Sequence, residues 1–148
     1  MAPRPEITAP LATVAPGDTL EIGGMVGEYK IERELGAGGM GVVYAARHPI
    51  IGKRAALKVL NARFSADPQA VARFVQEAQA VNQIGHANIV DIFAFGTLPD
   101  GRAYFVMEWL VGESLQDRLE RGRVPLADVL PILIAIARAL EAVHAANV

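Results

Sequence analysis

Three glycines, Gly36, Gly38 and Gly41, give the spacing G-x-G-x-x-G within LGAGGMGVVYAA, residues 35–46. Glycine lets backbone N–H groups approach phosphate oxygens with no side chain in the way. Further on, RAALKVL carries a single lysine, Lys58, within its apolar run, and RFVQEAQAV carries a single carboxylate, Glu77. A lysine held by a carboxylate and aimed at a phosphate is a charge-assisted binding device. The glycine spacing alone serves two unrelated arrangements. One is a strand-to-helix turn that seats a pyrophosphate on a helix N-terminus; the other is a strand-to-strand hairpin folded over phosphates.

The flanking residues separate the two. Residues 29–35, YKIEREL, alternate as a strand with Ile31, Arg33 and Leu35 on one face. After the glycines comes VVYAARH, β-branched and aromatic, which reads as a second strand rather than a helix. A dinucleotide site also wants an acidic residue about 20 positions on, for the ribose hydroxyls. No Asp or Glu occurs between Leu35 and Ala66, and the Walker pattern is absent. The hairpin reading therefore stands, with Val43 on the return strand able to lie against a base. An unliganded glycine-rich turn remains the plain alternative for the loop taken alone.

In residues 54–60 a period of two puts Ala56 and Lys58 on one face, Leu57 and Val59 on the other. A small residue beneath a purine and a lysine one step further suit a nucleotide cleft. The alternative is an edge-strand lysine that blunts sheet pairing. Glu77 lies three residues after Phe74 and four before Val81, within or beside an apolar helix face. It either pairs with Lys58 or sits at the rim, bridged to Arg73 four residues back.

The remaining elements follow in order. His48, Pro49 and Gly52 mark a turn. Asp67 as N-cap and Pro68 at the first helical position begin a helix that ends at Gly85. Two more strands, IVDIFAFG and RAYFVMEWL, are joined by a turn at Pro99, Asp100 and Gly101. Residues 115–121 form a short polar helix and residues 125–148 a long one, with Pro131 in its first turn or kinking it. The expected fold is α+β, a five-stranded antiparallel sheet with one packed helix, followed by two helices.

Composition narrows the function. The net charge of −2 gives no reason to expect nucleic acid or an anionic membrane as partner. With no cysteine there are no disulfides, thiol chemistry or thiolate metal sites, which suits a reducing compartment. His48, His86 and His144 have no second ligand at metal spacing and read as structural. Residues 1–27, with four prolines by Pro16, read as a flexible leader without the apolar region of a secretory signal. The longest apolar stretch, residues 129–137, falls far short of the ~20 needed to cross a bilayer, so the chain is expected to be cytoplasmic.

Taken together, LGAGGMGVVYAA, AALK, the helix glutamate, HANIV and FVMEWLVGESL resemble the N-terminal lobe of a protein kinase, specifically the eukaryotic-like serine/threonine kinases of bacteria. The resemblance implies an ATP-binding lobe over residues 28–110 and the first helices of an incomplete helical C lobe over residues 111–148. It implies that Leu35, Gly36, Ala37, Gly38, Gly39, Met40, Gly41 and Val43 cover ATP above Ala56, and that Lys58 contacts its α- and β-phosphates. Glu77 would hold Lys58, Met107 would be the gatekeeper, and the Glu108 carbonyl and Leu110 amide would bond adenine. Ser114 would lie near the ribose. Ala55 and Ala87 depart from the commoner V-A-I-K and H-P-x-I-V patterns without touching the nucleotide face.

Phosphoryl transfer in that family also uses H-R-D and D-F-G, which supply the base and the main Mg²⁺ ligand. Neither occurs in the chain, nor does A-P-E. The apolar run VLPILIAIA belongs inside a larger core. The expectation is thus a kinase truncated before its catalytic loop, with protein substrates engaging the missing C lobe and no metal site of its own. A non-catalytic nucleotide-binding or docking module is the alternative, and a dinucleotide oxidoreductase domain the more distant one.

Overall fold

A computed structural model describes residues 19–146. Its strands are β1 (Met25–Val26), β2 (Tyr29–Gly38), β3 (Gly41–Arg47), β4 (Arg54–Leu60), β5 (Ile92–Thr97) and β6 (Ala103–Glu108). They form one sheet in the order β1-β2-β3-β4-β6-β5, antiparallel throughout. The helices are α1 (Ala62–Ser65), α2 (Pro68–Ile84), α3 (Leu115–Glu120) and α4 (Leu126–Ala145).

The sheet has six strands rather than the expected five. The added one, β1, is only two residues long, too short for any alternation to register, and lies in the stretch read as leader. Residues 1–18 of that leader are outside the described residues. From Leu20 onward the chain is tied down: the Leu20 N–H donates to the Tyr44 hydroxyl at 2.9 Å, and Met25 and Val26 pair with Lys30 and Tyr29. Strand β2 also departs from simple alternation. Irregularities between Ile31 and Arg33 and between Glu34 and Gly36 shift its register, so Ile31 and Leu35 are buried and Arg33 is exposed.

Residues of β2, β3, β4 and β6 bury the main core on one face of the sheet, with Tyr44, Ile31, Leu57, Val42, Val59 and Val106 almost wholly enclosed. Helix α2 closes the other face. It begins with the Asp67 carboxylate accepting from the Gln69 N–H at 2.9 Å and stops at Gly85, whose φ of 55° is the left-handed cap a glycine adopts freely. Inward it presents Ala70, Phe74 and Ala78, and Phe74 stacks on Phe105 at 4.5 Å between centroids. The four-residue α1 before it is a second helix on this lobe where one was expected; so short an element has no periodicity to read. At the β5–β6 turn, Arg102 is buried and bonded to Asp100, holding that carboxyl below the usual carboxylate range.

The C-terminal helices differ in kind. Ser114 and Asp117 cap α3 reciprocally. Helix α4 buries none of its 20 residues, and Leu126, Leu130, Leu133, Ile134, Ile136 and Leu140 are exposed. Pro131 lies beyond the first turn, inside the helix, where it leaves the Ala127 carbonyl without its usual donor. Among the described residues no helix is long and apolar enough to cross a membrane.

Candidate nucleotide-binding site

Where β6 leaves the sheet, an apolar cavity of about 180 Å³ opens between Leu35, Val43, Ala56, Val90, Met107, Glu108, Trp109 and Leu110. The ladders explain its shape. Ala56 pairs with Ala45 on one side and Met107 on the other, while Val43 pairs with Lys58. Alternation then sends Ala56 and Lys58 to the cavity side and buries Leu57 and Val59 in the main core. Because position 56 carries only a methyl group, a slot remains between Leu35 and Val43 above and Met107 behind. Its dimensions and apolar lining suit a flat aromatic ring. Met107 also touches the Phe74–Phe105 cluster, so one side chain separates the slot from the seat of α2.

Two lining residues, Val90 and Trp109, were not among the sequence-derived candidates. Trp109 stands between Glu108 and Leu110, and an aromatic ring there was the available signal. Its ring packs with Leu35, Ala45 and Ala56, and the Arg54 guanidinium lies 4.2 Å from the ring centroid. Its indole N–H is buried without a partner. Val90 follows the turn shaped by His86, whose Nδ1 accepts from the Asn88 N–H at 3.1 Å. Asp91 and Glu108 fix the start of the linker: the Glu108 N–H donates to the Asp91 carbonyl at 2.9 Å, and the Asp91 N–H to the Glu108 carboxylate at 3.0 Å.

The glycine-rich segment is a hairpin between two strands, with Gly38 opposite Gly41 and Gly39 and Met40 at the tip. Leu35, Gly36 and Ala37 are buried at its root, whereas Met40 is exposed. The glycines are not equivalent. A Cβ on Gly41 would sit 1.9 Å from the Val59 carbonyl oxygen, while one on Gly39 would meet nothing within 4 Å. Gly41 is thus demanded by the close approach of β4 and Gly39 leaves the tip open.

Lys58 and Glu77 are not brought together. Among the described residues no ion pair joins Glu77 to Lys58, or to Arg73. The Lys58 ammonium lies 5.9 Å and 5.7 Å from the Phe74 and Phe105 ring centroids. Glu77 is exposed, on the wall of a groove it shares with Met40, Phe64 and Arg73. The reason is angular. Ala70, Phe74 and Ala78 define the seated row of α2, and Glu77, one residue before Ala78, is turned about 100° away from it. The Ser114 hydroxyl, expected near a ribose, accepts from the Asp117 N–H at 3.0 Å and caps α3.

A glycine hairpin over a β-sheet cleft, a lysine beside it and a linker strand at its back define the nucleotide lobe of a protein kinase. The protein kinase domain family matches residues 29–148, and the chain belongs to that family. Serine/threonine-protein kinase Pkn1 of Myxococcus xanthus is 43% identical over 129 residues, 86% of this chain and 18% of that protein. Serine/threonine-protein kinase PknJ of Mycobacterium tuberculosis is 38% identical over 125 residues, 84% of this chain and 21% of that one. The crystal structure of a mutant of the Mycobacterium tuberculosis PknI kinase domain superposes with a TM-score of 0.74 at 29% identity, covering 87% of this chain and 53% of that one. The chain therefore spans roughly a fifth of the length of these curated relatives.

Proposed function

We propose that the cavity and the hairpin above it form an ATP site, and that the protein carrying this chain transfers the ATP γ-phosphoryl group to serine or threonine hydroxyls of proteins. The observation that carries this reading is the slot between Ala56 and Met107, apolar and ring-sized, lying beside both the glycine hairpin and Lys58. Adenine fills the slot, with the Glu108 carbonyl and Leu110 amide as its backbone partners. Loop amides and Lys58 take the phosphates, and Ser114 lies toward the ribose. Binding of this kind lowers the barrier by positioning and by neutralising charge.

Mg²⁺ accompanies ATP in the reaction, but no group of three His, Cys, Asp or Glu among the described residues could hold it. With no H-R-D or D-F-G in the sequence, base and metal ligands come from kinase segments outside these 148 residues. In this reading the chain itself binds ATP without transferring it, protein substrates engage those other segments, and the lobe works in the cytoplasm.

Trp109 is the only tryptophan and lines the slot, so its fluorescence reports binding directly. ATP titration should change that signal, and Lys58→Met should weaken ATP roughly tenfold, as loss of a hydrogen bond between charged groups does. Unchanged affinity in Lys58→Met removes Lys58 from the site. Binding of NAD in preference to ATP overturns the kinase reading of the loop.

A further inference from the structure

We propose that Asn61, the residue that follows β4, is a positioning residue that holds the tip of the glycine hairpin ready for phosphate; the inference rests on the ATP reading above. Three bonds converge on it. Its backbone N–H donates to the Met40 carbonyl at 3.0 Å, its Nδ2 donates to the Gly39 carbonyl at 3.1 Å, and its Oδ1 accepts from the Phe64 N–H at 3.0 Å. The acceptor end of one amide therefore caps α1 while the donor end grips the loop. The opposite amide orientation would satisfy neither partner, because a carbonyl needs a donor and an N–H an acceptor.

The tip has little else to hold it. Gly38 and Gly39 carry no side chains, and the space around Gly39 is open. Gly41, by contrast, is pressed against β4. In a trans peptide the C=O and N–H point in opposite directions. Anchoring the Gly39 carbonyl on Asn61 therefore turns the Met40 N–H away from α1. An anchored tip loses less conformational freedom when phosphates arrive, so its amides bind them more tightly. Adenosine, which has no phosphate, draws nothing from this anchor.

That difference supplies the test. Asn61→Ser keeps a neutral oxygen able to cap α1 but is too short to reach the Gly39 carbonyl. In the full 148-residue chain, followed by Trp109 fluorescence, Asn61→Ser should weaken ATP about three- to tenfold, the worth of one ordered hydrogen bond. Adenosine affinity and melting temperature should stay close to those of the unsubstituted chain. Unchanged ATP affinity overturns the role of Asn61 while leaving the ATP site intact. Equal weakening of ATP and adenosine also overturns it, by showing a general effect on the lobe. If the unsubstituted chain binds neither ligand, the nucleotide reading itself fails and Asn61 falls with it. Should Asn61→Ser not fold, Asn61→Asp keeps the cap and loses the donor. It is read the same way in roughly 0.5 M salt, which screens the added charge.

Discussion

Lys58, carried by the sheet, and Glu77, carried by helix α2, are positioned by different physics. Lys58 lies in a strand paired on both flanks, with Val43 on one side and Phe105 on the other, and Leu57 and Val59 lock its neighbours into the core. Backbone hydrogen bonds fix its height, and the strand period fixes its direction. Glu77 rides on a helix seated through Ala70, Phe74 and Ala78, so the direction of its side chain follows from the rotation of that helix about its axis. Strand register thus sets Lys58, whereas the rotation of α2 on its seat sets Glu77, which stands apart from the lysine.

The largest effect expected on this contrast comes from the seat itself. Phe74 is 4% exposed, stacks on Phe105 and touches Phe95 at 6.2 Å between centroids. Phe74→Ala should cost about 3–5 kcal/mol of unfolding free energy, as removal of a buried phenyl ring does. Chemical denaturation measures it, and amide exchange should show α2 losing protection ahead of β3 and β4. A cost below about 1 kcal/mol would mean that something other than this stack seats the helix.

A smaller effect separates the packed return strand from the tip within the hairpin. Gly41→Ala places its methyl group against the Val59 carbonyl, and the two strands must part to admit it. Thermal melts should show destabilisation of about 1–3 kcal/mol, the usual cost of overpacking. Gly39→Ala, with open space around it, should stay within about 0.5 kcal/mol. Equal costs at the two positions would erase the distinction between a packed strand start at Gly41 and an open tip at Gly39.

The same division governs what could be read in the sequence. Strands β2 to β6 and the limits of α2 were legible because alternation, β-branched and aromatic composition, the Asp67–Pro68 start and the Gly85 stop are local signals. Val43 and Ala56 reached the cavity for the same reason, since strand register carries them there, and Met107, Glu108 and Leu110, implied by the family resemblance, line it as well. Strand β1 was hidden because two residues make no pattern, and it exists through pairing with β2. Val90 and Trp109 line the cavity because the chain crosses behind and beside it, a fact of three-dimensional path rather than of period. The expected pairing of Glu77 failed on a helical angle that no spacing in one chain could set. Nothing local foretold that Asn61 would face both ways, its oxygen capping α1 and its amide nitrogen holding the hairpin tip.

The smallest expected effect bears most directly on the helix-borne charge. Glu77 is exposed and joins no ion pair with Lys58 or Arg73, so in this arrangement it supplies neither stability nor a hold on the lysine. Glu77→Gln should therefore change stability by less than about 0.5 kcal/mol, and ATP affinity of the chain by less than about twofold. Lys58→Met, acting on the sheet-borne partner, should weaken ATP roughly tenfold by contrast. If Glu77→Gln instead matched it, the bound state would differ from the one described, with α2 turned inward and the carboxylate drawn to the lysine. A double-mutant cycle decides between these outcomes. Additive changes mean the two residues act apart with ATP bound, while a coupling of about 1 kcal/mol or more means that ATP selects an α2 position in which they meet.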